Sequence, residues 1–90
     1  MPQVTETLTI KNKLGLHARP AALLVQTASK YSSAIELEAN GIKVNGKSIM
    51  GVMMLAAAHG SELTVIADGA DATEALSALR ALIDSKFDEE

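Results

Sequence analysis

A chain of 90 residues leaves room for one domain, because chains divide at roughly 100–200 residues apiece, and a large enclosed active-site cavity is not expected at this size. Hydrophobic residues at 48% and charged residues at 21% suit a folded globular chain, and the absence of cysteine excludes disulfide frameworks, thiolate metal sites and thiol redox chemistry, in keeping with a reducing cytoplasm. A formal charge of −3 with 2% aromatic residues argues against nucleic-acid binding, which needs a basic field or stacking platforms, so the expected partners are proteins.

The opening residues Met1-Pro2-Gln3-Val4 have neither a basic nor an apolar leader region, and no apolar run approaches the ~20 residues of a membrane span. Neither a secretory signal nor membrane insertion is expected. Val4, Leu8 and Ile10 alternate with threonines, the period of a half-buried strand. Past Gly15, the residues Ala21, Leu24, Val25, Ala28 and Tyr31 recur at helical spacing and predict a helix from about Ala18 to Lys30. Ile35, Leu37 and Ala39 alternate with Glu36 and Glu38, Asn40-Gly41 suits a tight turn, and Ile42 with Val44 returns the chain as a hairpin.

Ser48 suits the N-cap of a short helix opening at Ile49, with His59-Gly60 as its predicted C-terminal end. Of Ile49, Met50, Met53 and Met54, about half are expected to face the core. Leu63, Val65 and Ala67 form a fourth strand, and Asp71 with Glu74 reads as a reciprocal capping box. Ala72, Ala75, Leu76, Leu79, Leu82 and Ile83 then make an apolar helix stripe that Phe87 is expected to continue, ahead of a frayed acidic tail over 88–90. The order is βαββαβα within a single domain over 1–90. It predicts an α+β two-layer open-faced sandwich, with three helices on one face of a four-stranded antiparallel sheet.

The stretch Gly15-Leu16-His17-Ala18-Arg19-Pro20-Ala21 concentrates the chemistry. His17 falls at the N-cap of the first helix, where the N–H groups of Ala18 and Arg19 have no intrahelical acceptor and Pro20 has no N–H to leave unpaired. Those amides, the helix dipole and the Arg19 guanidinium together suit a phosphate. The ring nitrogen of a neutral imidazole can attack phosphorus to give a phosphoimidazole. Between Glu6 and Glu36 no carboxylate occurs that could act as a base to hydrolyse it. No metal or cofactor is expected. By residue type alone a histidine at a helix start is more often a simple cap, and His59 reads as the C-cap of the short helix; the company of Gly15, Arg19 and Pro20 shifts the weight for His17.

The segment from Gly15 to Ala21, with Gly46-Lys47-Ser48-Ile49-Met50-Gly51-Val52-Met53, resembles the histidine-containing phosphocarrier (HPr) family of the bacterial phosphoenolpyruvate-dependent phosphotransferase system. The resemblance covers nearly the whole chain. It implies a stoichiometric carrier rather than an enzyme, a monomer that accepts a phosphoryl group on Nδ1 of His17 from enzyme I and gives it to an enzyme IIA domain. Arg19 and the backbone amides of Ala18 and Arg19 would hold the phosphate. Ser48 would be a regulatory site for an HPr serine kinase/phosphorylase, with a transcriptional regulator as a further partner. Leu16, Pro20, Ile49, Met50 and Met53 would form the shared docking surface. Ala18 and Gly46 depart from residues common in the family, and Gln26 and Ser29 stand where sugar-system members often carry lysine. Met53 to Ala58 and the ending Phe87 to Glu90 look more like the nitrogen-related branch. The competing readings are a docking module or corepressor acting through Ser48 with His17 idle, and a small ligand-binding domain without phosphate chemistry.

Overall fold

The computed structural model describes residues 3–88 and shows strand β1 (Gln3–Thr9), helix α1 (Ala18–Ala28), strands β2 (Ala34–Ala39) and β3 (Ile42–Asn45), helix α2 (Ile49–Met54), strand β4 (Glu62–Asp68) and helix α3 (Ala72–Asp84). The strands form one sheet in the order β1-β4-β2-β3, and every neighbouring pair is antiparallel. The predicted α+β open-faced sandwich is the architecture observed.

Register explains which residues reach the core. Leu8 lies opposite Leu63, Ile35 opposite Ala67, and Leu37 is flanked by Val44 and Val65, so one face of the sheet is a continuous apolar surface. Against it pack Ala21, Leu24 and Ala28 of α1, Val52 of α2, and Ala72, Ala75, Leu76, Leu79 and Ile83 of α3, all in one buried cluster. The opposite face carries polar residues such as Thr7 and Thr64, whose hydroxyls share a hydrogen bond of 2.9 Å. Alternation of side chains along each strand produces this division, and among the described residues no helix packs on the polar side. Arg80 of α3 donates from Nε to Glu6 of β1 at 3.0 Å, tying the last helix to the edge strand.

Several boundaries differ from the sequence expectation. Helix α1 ends at Ala28 rather than near Lys30, because Lys30 and Tyr31 N–H groups turn to the carbonyls three residues back, at 3.2 Å each. Helix α2 stops at Met54, well short of His59-Gly60. Ala56 adopts a left-handed φ of 50° and its N–H bonds the Met53 carbonyl, which closes the helix; His59 is therefore an exposed loop residue and not a C-cap. Asp71 occupies the N-cap position of α3, yet its carboxylate caps nothing in that helix and the expected box with Glu74 does not form. The carboxylate instead accepts from the Ser32 and Ser33 backbone N–H groups, at 2.9 Å each, and from both hydroxyls. These bonds hold its carboxyl at about pH 2, down from 3.8.

Phe87 is fully buried, but it does not extend the α3 stripe. Lys86, Phe87 and Asp88 turn left-handed, with φ of 60°, 55° and 59°, and fold the ring back beneath the helix. Of the tail expected to fray over 88–90, Asp88 belongs to this turn, its N–H donating to the Ser85 carbonyl at 3.1 Å, and the rest lies outside the described residues.

Candidate functional site

The site begins with the loop between β1 and α1. Asn12 is fully buried and donates from Nδ2 to the Gly15 carbonyl at 2.7 Å. Gly15 takes φ +68°, and a Cβ placed there would stand 2.4 Å from the Ala57 carbonyl oxygen and 2.9 Å from Ala58 Cα. Only glycine meets both demands. The same carbonyl of Ala57 accepts from Leu16 N–H at 2.9 Å, so the loop that delivers His17 is fastened to the segment following α2.

His17 is the N-cap of α1, with extended dihedrals of φ −81° and ψ −171°. Its carbonyl takes the first helical bond, from Ala21 N–H at 3.0 Å, while its imidazole caps no N–H of the helix. Ala18 and Arg19 N–H groups precede the first i→i−4 bond, and Pro20 contributes no donor. His17 is half-buried, while Ala18 and Arg19 are exposed. A guanidinium and two backbone donors therefore stand on the exposed first turn of α1, on the helix that His17 opens.

Ser48 caps α2 as predicted, its Oγ accepting from Gly51 N–H at 3.1 Å. The turn before it is tight: Gly46 N–H reaches the Ile35 carbonyl at 2.7 Å, and a Cβ on Gly46 would come within 2.6 Å of Ile35 Cγ2. A side chain at that position would therefore have to displace Ile35. Lys47 Nζ donates to the Tyr31 carbonyl at 2.7 Å, linking this turn to the end of α1. Helices α1 and α2 pack against each other, so His17 and Ser48 open neighbouring helices on the same layer.

The residues expected to form the docking surface divide. Ile49, Met50 and Met53 are exposed, as is Met54. The expectation that about half of these four face inward is corrected, since Val52 and Leu55, both essentially inaccessible, fill the core beneath α2 alone. Leu16 and Pro20 are buried, Leu16 within the core cluster, so they support the loop from below rather than offering docking surface. Asn12 was missed by sequence reasoning, although an amide three residues before a turn glycine is the available signal. The surface clefts along Ala34–Glu36 with Lys43–Asn45, and around the Asn40-Gly41 turn, lie away from His17.

Comparison with known proteins agrees with this geometry. Residues 4–85 match the family model described as "PTS HPr component phosphorylation site". The chain is 52% identical over 87 residues to the phosphocarrier protein HPr of Treponema pallidum, covering 97% of this chain and 99% of that one. Among solved structures, HPr-C-His of Thermoanaerobacter tengcongensis superposes with a TM-score of 0.90 at 57% identity, covering 100% and 99% of the two chains. The phosphocarrier protein HPr of Bacillus anthracis gives 0.87 at 46% identity, covering 92% and 99%. Sandwich, helix-opening histidine and these matches together define a small phosphoryl-carrier protein. The chain belongs to the HPr family, the phosphocarriers of the phosphoenolpyruvate-dependent phosphotransferase system.

Proposed function

We propose that His17 is the phosphoryl acceptor and that the chain works stoichiometrically in the cytoplasm, as one domain and a monomer, between enzyme I and an enzyme IIA domain. The observation that carries this reading is the position of His17 as the N-cap of α1, at the donor end of that helix, with Arg19 in the first turn. The Nδ1 lone pair attacks the phosphorus carried by phosphorylated enzyme I; the new P–N bond forms as the donor bond breaks. The Ala18 and Arg19 amides and the Arg19 guanidinium meet the charge on the phosphoryl oxygens. Reversal of the same step onto an enzyme IIA empties the carrier. Exposed Ile49, Met50 and Met53 on the neighbouring helix offer the apolar surface that both partners need.

Incubation with phosphoenolpyruvate and enzyme I tests the assignment. An acid-labile, alkali-stable adduct is expected on the natural chain and none on His17→Ala; an adduct that survives the substitution removes His17 from the role. Arg19→Ala is expected to fold normally and to slow transfer by about tenfold or more, through loss of one charge-stabilising group. Ser48 is the second modification position we assign, for an ATP-dependent HPr kinase. Its phosphate would sit at the start of α2 beside the docking residues, altering association rather than the fold. Phosphate incorporation from ATP that persists in Ser48→Ala would overturn this assignment.

A further inference from the structure

Three of the four methionines stand on the single short helix α2, in a chain with no cysteine. They carry the sulfur atoms of the described residues, and each is an exposed residue: Met50 is 77% exposed, Met54 66% and Met53 44%. None holds the core together, because Val52 at 0% and Leu55 at 1% exposure anchor the helix from beneath. Oxidising a core methionine places a polar sulfoxide among apolar neighbours and disrupts packing; oxidising these changes the surface and leaves the packing untouched.

We propose that Met50, Met54 and Met53 form an oxidation site for hydrogen peroxide, and that sulfoxides there weaken docking to enzyme I while the domain stays folded. The docking half of this inference rests on the reading of Met50 and Met53 given above. In the reaction a sulfur lone pair attacks one peroxide oxygen, an S–O bond forms as the O–O bond breaks, and the second oxygen leaves as water with both protons. Sulfur loses two electrons and the peroxide gains them. The product is reversible through a methionine sulfoxide reductase and a thiol reductant. Its effect on docking follows from desolvation, since a strongly dipolar S=O must shed water to enter a contact that the thioether enters at little cost. Exposure sets the order, with Met50 and Met54 ahead of Met53.

The experiment treats the full chain with hydrogen peroxide and follows peptide masses, the thermal melt, and phosphorylation by enzyme I and phosphoenolpyruvate as carrier concentration is varied. We expect oxygen at Met50 and Met54 before Met53, a cooperative melt retained, and a KM for the carrier raised by about threefold or more, with recovery after reductase treatment. The variant Met50→Leu/Met53→Leu/Met54→Leu, compared only with its own untreated rate, should lose the response to peroxide. A smaller rise in KM at full oxidation, a lost melt, a different order of oxidation, or a variant as peroxide-sensitive as the natural chain overturns the proposal. If the untreated chain accepts no phosphate, the carrier reading fails instead, and the masses and melt still decide whether α2 is an oxidation site that spares the fold.

Discussion

At Gly15 two constraints coincide, a left-handed backbone and a carbonyl oxygen 2.4 Å from where a Cβ would lie. Gly15→Ala must either pay the strain or move the Ala57 segment, so a loss of about 1–3 kcal/mol is expected in urea unfolding, together with slower phosphoryl transfer if His17 is the acceptor proposed above. Unaltered stability would mean the loop tolerates displacement. Asp71 gives a pH-dependent counterpart. Its carboxyl is held at about 2, below the 3.8 of an unstructured aspartate, chiefly by the Ser33 hydroxyl and then by the Ser32 N–H. A depressed folded-state value means the stabilisation is complete above about 3.8 and disappears as pH falls through about 2. Asp71→Asn is therefore expected to be less stable than the natural chain at neutral pH, with the gap closing between pH 4 and pH 2 (both values approximate). Melting curves of the two proteins that stay parallel across that window would show that the carboxylate's charge contributes nothing.

Among the elements, α2 leans on its N-cap residue, Ser48. It is a single short helix whose N-cap hydroxyl accepts from Gly51 N–H, so Ser48→Ala is expected to cost about 0.5–2 kcal/mol by denaturant unfolding. A cost near zero would show that packing of Val52 and Leu55 alone positions the helix. The same element marks where the sequence was readable and where it was not. Ser48 announced the start of α2 because N-cap chemistry is local, and the β-strands and α3 were legible from period alone. The end of α2 was not: His59-Gly60 has the composition of a C-cap, while the actual stop uses Ala56, a residue with no preference for the left-handed φ it adopts. Which side chains of α2 point inward was likewise hidden, since methionine satisfies a core or a surface and only the packing of α1 and the sheet selects Val52 and Leu55. Asp71 was placed at the correct helix end but given the wrong partner, because Ser32 and Ser33 lie far away in sequence and reach it only through the tertiary fold. In the site, Gly15 to Pro20 was legible as a contiguous motif; the bracing by Asn12 and the burial of Leu16 and Pro20 required the loop's contact with Ala57 to be known.

For the whole molecule, one apolar cluster draws on β1, β2, β4 and all three helices, with Val44 of β3 packed against it, so no part has a reserve core of its own. Phe87, the only phenylalanine, closes that cluster through a left-handed turn after α3. Phe87→Ala is expected to cost about 3–5 kcal/mol, a large share of the 5–15 kcal/mol typical of a domain, and to lower the thermal midpoint accordingly. A loss under about 1 kcal/mol would show that the ring's burial matters little to the fold.

The first strand of the sheet finds its sole partner late: Gln3 lies across from Asp68 and Thr9 from Glu62. A chain emerging from the ribosome therefore carries a finished opening strand with nothing to pair it until almost three-quarters of the protein has been made. Commitment to the native state waits on that distant closure, which places folding on the slower, non-local side of the kinetic range. The histidine loop, which hangs from the end of this strand, takes its final shape only once that closure and the bond from Leu16 to Ala57 are made.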